Sequence, residues 1–137
     1  MATTTSSSSS AADAPARPPL VMQLIVDHSL VGGTEWGLGP LMAQAAHASL
    51  AIIARTRDSA ATQAYLAPDN VAHMRKVVLQ TPKDVDLASL SRALQEREHA
   101  QPGFPRHHVW IEMPEGVPTV LALEPNERPP VRRTLFK

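Results

Sequence analysis

The chain of 137 residues contains no cysteine. That single absence removes disulfide frameworks, thiolate metal sites, iron–sulfur clusters and cysteine nucleophiles together, and it suits a reducing compartment. Neither sign of charge is in excess, since 13 Lys and Arg face 13 Asp and Glu. A balanced chain lacks the long-range field that steers a protein to a polyanion, so any site for nucleic acid or an acidic surface must be local. No apolar run approaches the roughly 18 residues that cross a bilayer. No cationic stretch followed by an apolar one marks a secretory signal either. A soluble, cytoplasmic protein with no membrane partner is expected. The first 19 residues also lack an apolar pattern, because 16 of them are Ala, Ser, Thr or Pro. They read as a disordered low-complexity tail. Richness in hydroxyls and poverty in acids also make a mitochondrial transit peptide the minor alternative, against which stand a single arginine, Arg17, and the lack of an amphipathic face.

What remains, residues 20–137, is enough for one domain, and it is balanced at 12 against 12 once Arg17 and Asp13 are set aside. Residues 20–26 form a nearly continuous apolar run whose length and branching predict a strand buried on both faces. Residues 27–39 hold four of the six glycines and read as a loop, with Pro40 at the first helical position. From 41 to 57 the chain is rich in alanine, and Leu41, Ala45, Ala48 and Ile52 recur at the spacing of a helix face laid on a sheet. A short helix is expected around 60–66 and a second strand at 75–81. Thr81 then supplies a capping hydroxyl, Pro82 a first helical position and Asp84 a near capping box, so a helix is predicted from there to about His99. Two further apolar runs, 107–113 and 118–123, are separated by a four-residue segment with Pro and Gly that has the length of a hairpin turn. Two strand–helix units favour parallel pairing, and the closing hairpin makes the sheet mixed.

Among polar residues, His47 follows Gln44 by three on the first helix, so the two share a face amid alanines. A histidine there can act as a general base on water or return a proton to a leaving oxygen; equally, it can be a packed histidine at a helix–sheet seam. The residues alone leave both readings open. Asp27, His28 and Ser29 are the residue types of a hydrolase triad, but consecutive residues at a strand end point in different directions and cannot form a relay. His107 and His108 project to opposite faces and make a poor metal pair. No other set has ligand spacing, so neither metal nor cofactor is expected. The glycine loop matches neither a phosphate-cradling loop nor a dinucleotide fingerprint. Basic residues cluster at Arg75 and Lys76 and at Arg128, Arg132, Arg133 and Lys137. The second cluster reads equally as a phosphate site or as a solvated chain end.

The segment Gly37-Leu38-Gly39-Pro40-Leu41-Met42-Ala43-Gln44-Ala45-Ala46-His47-Ala48 resembles the signature helix of type 2 peptidyl-tRNA hydrolases, an archaeal and eukaryotic family. Lys76-Val77-Val78-Leu79-Gln80-Thr81-Pro82 resembles that family's second strand and the turn after it. The likeness continues through Trp110, Thr119 to Leu123 and the terminal Leu135-Phe136-Lys137. Arg75-Lys76, the pattern ending in Glu115 and that terminus are most like a divergent branch, the eukaryotic peptidyl-tRNA hydrolase domain-containing proteins.

This resemblance implies an α/β fold: one domain over residues 20–137, a three-layer α/β/α sandwich on a mixed four-stranded sheet, commonly a homodimer. It implies hydrolysis of the ester joining a peptide to the 3′ end of tRNA, by an activated water and without metal. In that scheme His47 is the base, Gln44 its hydrogen-bonding partner and Lys76 a charge near phosphate or oxyanion. Arg75, Arg128, Arg132 and Arg133 become candidates for holding tRNA. Three departures stand beside it. Leu38 and Pro40 occupy positions where active members carry lysines, the second of which is usually given a catalytic role. Asp27-His28-Ser29-Leu30 replaces an Arg-x-Asp-Leu pattern. Pro114-Glu115-Gly116-Val117 replaces an Asp-Ala-Gly-x-Thr segment. The alternative these departures imply is a catalytically degenerate module that binds tRNA or protein on the same fold.

Overall fold

The computed structural model describes residues 18–127. Four strands, β1 (Val21–Val26), β2 (Arg75–Gln80), β3 (His107–Glu112) and β4 (Val117–Leu123), form one sheet in the order β2-β1-β4-β3. Three helices, α1 (Leu38–Arg55), α2 (Ala60–Tyr65) and α3 (Leu87–Ala100), complete the α/β fold. β1 runs parallel to β2 and antiparallel to β4, which closes an antiparallel hairpin with β3. The mixed sheet expected from two strand–helix units and a hairpin is the one observed. The expected tail lies outside the described residues except for Pro18 and Pro19.

Central position explains the composition of β1 and β4. Each has a strand on either side and helices on both faces, so successive residues are buried instead of alternate ones. All six residues of β1 are buried, and so are residues 119–123 of β4. Alternation decides which core each joins. Met22, Leu24, Val26, Val120 and Ala122 meet Ala48 and Ile52 of α1 and Tyr65 of α2. Ile25, Leu121 and Leu123 meet Leu87, Leu90 and Leu94 of α3, with Phe104 beside them. The one polar residue within β1, Gln23, exchanges two amide hydrogen bonds of 3.2 and 2.6 Å with the buried Asn126, which also bridges to the main chain of Val21. Those bonds remove the cost of burying two amides beside the core.

Two helix starts differ from the sequence expectation. α1 begins at Leu38 and not at Pro40, so Pro40 is its third residue instead of its first. Proline is tolerated there for the reason that admits it at the first position: the earliest N–H groups of a helix have no intrahelical acceptor. The first bond of the ladder is Leu41 N–H to Gly37 C=O, 3.1 Å. α3 begins at Leu87, capped by the carboxylate of Asp86, which accepts from Ser89 N–H at 2.7 Å. The expected cap, Thr81, is buried, and its hydroxyl is taken elsewhere. It accepts from His28 N–H at 3.0 Å and lies 2.9 Å from His28 Nδ1. With that oxygen committed to the chain leaving β1, residues 82–85 form a turn, closed by Val85 N–H to Pro82 C=O at 3.0 Å. At the β3–β4 hairpin Gly116 adopts φ +69°, which side chains resist, and its N–H returns to Glu112 C=O at 2.8 Å.

Candidate functional site

Gln44 and His47 lie on α1 above the β3–β4 hairpin. Gln44 faces the sheet and is 4% exposed. Thr119, the first buried residue of β4, donates its hydroxyl to Gln44 Oε1 at 2.9 Å. That bond decides which way the amide points, and it turns Nε2–H onto the carboxylate of Glu112 at the end of β3. Two residues earlier on the same face of β3, Trp110 Nε1–H makes a long 3.5 Å approach to the same Glu112 oxygen. His47, exposed one helical turn from Gln44, stacks on Trp110 with ring centroids 4.7 Å apart and planes 18° from parallel. The Gln44 amide holds the Glu112 carboxyl below the ordinary carboxylate range, with the Trp110 indole and the neighbouring His47 acting in the same direction. The result is an ionised carboxylate whose orientation is set from two sides, beside an accessible imidazole with one ring face covered.

Lys76 is not in this group. Its ammonium lies 3.4 Å from the Tyr65 hydroxyl and 5.6 Å from the centre of that ring, while the same hydroxyl donates to Arg75 C=O at 2.9 Å. Sheet register explains the separation. Trp110 pairs with Val120, Val120 with Val26 and Val26 with Gln80, so the row of Trp110 meets β2 four residues beyond Lys76. Three strand spacings of about 4.8 Å and four rises of about 3.3 Å put the two regions roughly 20 Å apart. Arg75 is exposed at the start of the edge strand β2. Arg128, Arg132 and Arg133 lie outside the described residues.

The triad residue types are neighbours but do not line up as a relay. Ser29 donates both its N–H (3.0 Å) and its hydroxyl (2.6 Å) to Asp27 Oδ1, whereas His28 Nδ1 is 2.9 Å from Thr81 and 3.9 Å from that Asp27 oxygen, so the serine hydroxyl is given to the acid and not to the imidazole. His107 and His108 diverge as expected from a strand: His107 Nε2 is 2.7 Å from Ser91 Oγ on α3, while His108 shares the α1 side with Arg55. Burial is the main cause that pushes both histidines below the usual imidazole range, and a like charge adds to it, His108 beside His107 and Arg55 beside His108. A cavity of about 950 Å³, bordered by Leu20, Ala64, Phe104, Arg106 and Glu124, opens at the opposite end of the sheet. It touches none of the residues around His47, and its size alone gives it no chemistry.

Glu112 and Thr119 were missed as site residues. Period-two spacing from Trp110 places Glu112 on the same strand face, but only the sheet order puts β3 beneath α1 and makes that face the site.

An open mixed four-stranded sheet with helices on both faces, carrying a Gln–His helix over a Trp- and Glu-bearing edge strand, defines an α/β protein with a polar cluster at its surface. The chain belongs to the peptidyl-tRNA hydrolase PTH2 family, whose model matches residues 20–136. It is similar to the human protein named "Putative peptidyl-tRNA hydrolase PTRHD1", 34% identical over 124 residues that cover 89% of this chain and 83% of the human one. A Mus musculus protein of the same name is 36% identical over 103 residues, covering 75% of this chain and 68% of its own.

Proposed function

We propose that the protein hydrolyses the ester between a peptide and the 3′ end of tRNA, with His47 as the base. The observation that carries this reading is the accessible His47 ring fixed on Trp110 beside the Thr119–Gln44–Glu112 chain. In the reaction His47 takes a proton from water as the water oxygen bonds to the ester carbonyl carbon. Collapse of the tetrahedral intermediate breaks the bond to the ribose 3′ oxygen, and the proton passes to that oxygen. Gln44 spends its amide on Thr119 and Glu112, so it serves as a positioning residue and not as a contact to substrate. Glu112 supplies a fixed negative charge facing the imidazolium formed in the transition state.

Release of labelled peptide from peptidyl-tRNA tests the proposal. Wild-type turnover with a fall of about a hundredfold in His47→Ala is the expected result, within the range for a lost general base. Turnover unaffected by that substitution would overturn the mechanism, and none in the wild type would overturn the activity. A second reading, a module that binds tRNA without hydrolysing it, is favoured by Leu38 and Pro40 in the first turn of α1 and by the distance of Lys76 from His47. For that reading, removal of residues 131–137 should weaken tRNA binding and flatten its salt dependence. Homodimer formation and a cytoplasmic location belong to the same proposal, to be checked by sedimentation and by cell fractionation.

A further inference from the structure

We propose that the outer face of His47, backed by Trp110, is a stacking platform for the terminal nucleobase of the substrate. The choice of substrate rests on the ester-hydrolase reading above; the platform itself rests on ring geometry. An imidazole lying 18° from parallel on an indole uses one face for that contact. Trp110 is packed against the α1-side core, so the indole's own second face is not available, whereas His47 is exposed. The free surface of the pair is therefore the solvent face of the imidazole. Nothing bulky or charged on the helix crowds it from the preceding turn, where the exposed neighbours are Ala43 and Ala46. Rings in this arrangement accept a third flat ring at the same spacing.

Charge decides what kind of ring. From Leu38 to Ala54, α1 contains no Lys, Arg, Asp or Glu, and the Glu112 carboxylate lies beside the stack. A phosphate is unwelcome there, so a nucleic acid cannot be held at this point through its backbone. A nucleobase can be, because stacking needs a π face and no counter-charge. The end of a strand suits the site better than its middle, since a 3′-terminal nucleoside carries a phosphate on one side only. Purines, with the larger face, should outrank pyrimidines. A contact of this kind needs no basic patch beside it.

The test uses the full chain with Trp36→Phe, so that Trp110 is the only fluorescent indole. Adenosine 5′-monophosphate should quench Trp110, uridine 5′-monophosphate should do so more weakly, and ribose 5-phosphate should not. His47→Ala should weaken binding of the adenosine nucleotide about tenfold. His47→Phe, which keeps a flat ring but no ring nitrogen, should retain that binding within about twofold while losing peptide release, which separates platform from base. Equal quenching by ribose 5-phosphate, or wild-type affinity in His47→Ala, would overturn the platform. Nucleotide binding that follows this pattern in a protein with no peptide release would remove the hydrolase reading and leave the platform standing.

Discussion

The two faces of the sheet are built from neighbouring residues of the same two strands, yet they are unlike in chemistry. Against α3 the core cluster is aliphatic and aromatic, Leu87, Leu90, Leu94, Ile25, Leu121, Leu123 and Phe104, and its polar pairs, Gln23 with Asn126 and His107 with Ser91, stand apart from that cluster. Against α1 and α2 the apolar core is threaded with buried polar groups. Thr56, Thr62, Gln44 and Thr119 are each 4% exposed or less. Each has partners: Thr56 lies 2.7 Å from Thr62 and donates to Ile52 C=O at 2.8 Å, and Thr119 and Gln44 form the chain that ends at Glu112. Satisfied in this way, such groups contribute little net stability but fix orientation, and an unmatched partner is costly. The α3 cluster supplies mainly cohesion, and the polar chain beneath α1 supplies direction.

Leu94→Ala should break the comparison most strongly from the cohesive side. Leu94 is fully buried, and its truncation leaves a cavity that costs about 2–5 kcal/mol. Thermal or denaturant unfolding should register that loss, while peptide release per folded molecule stays near wild type. Thr119→Val attacks the other face at constant shape. It leaves Gln44 Oε1 buried without its donor at a cost of about 1–3 kcal/mol and frees the amide to turn. Peptide release should drop through kcat more than KM, and the Glu112 carboxyl should move up toward its ordinary range in an NMR titration. An unchanged Glu112 would show that the hydroxyl does not set the amide.

The smallest effect expected is pH-dependent. His107 and His108 are held below their unfolded range mainly by burial, so the unfolded chain binds more protons as pH falls. The stability they contribute is present above the unfolded value of about 6.5 and is lost as pH drops below it toward the folded values. Unfolding free energy measured from pH 7.5 to 5 should therefore decline. His107→Gln should flatten the decline, and an identical slope would assign the effect to other groups.

Much of this fold was legible in the sequence. The strands β1 and β2, the helix α1 and the closing hairpin follow from apolar period and turn residues. The cap of α3 did not, because Thr81 satisfies every local criterion for a cap but lends its oxygen to His28, 53 residues earlier. Asp86, directly before Leu87, was the local signal that won. Gln44 and His47 could be picked out because their spacing lies within one helix. Their grouping with Trp110, Glu112 and Thr119, and the separation of Lys76, could not be read, since both depend on which strands become neighbours.

Interleaving the two faces along β1 and β4 makes this small protein sensitive to reading frame within its strands. Inserting one residue between Val120 and Leu121 would send Leu121, Ala122 and Leu123 to the opposite sides, trading the contents of the two cores in a single step. Inserting two would restore the sides but carry Thr119 one full repeat away from Gln44. A change of length is therefore best absorbed at the ends of β4, as in the turn that precedes it, and not within the strand.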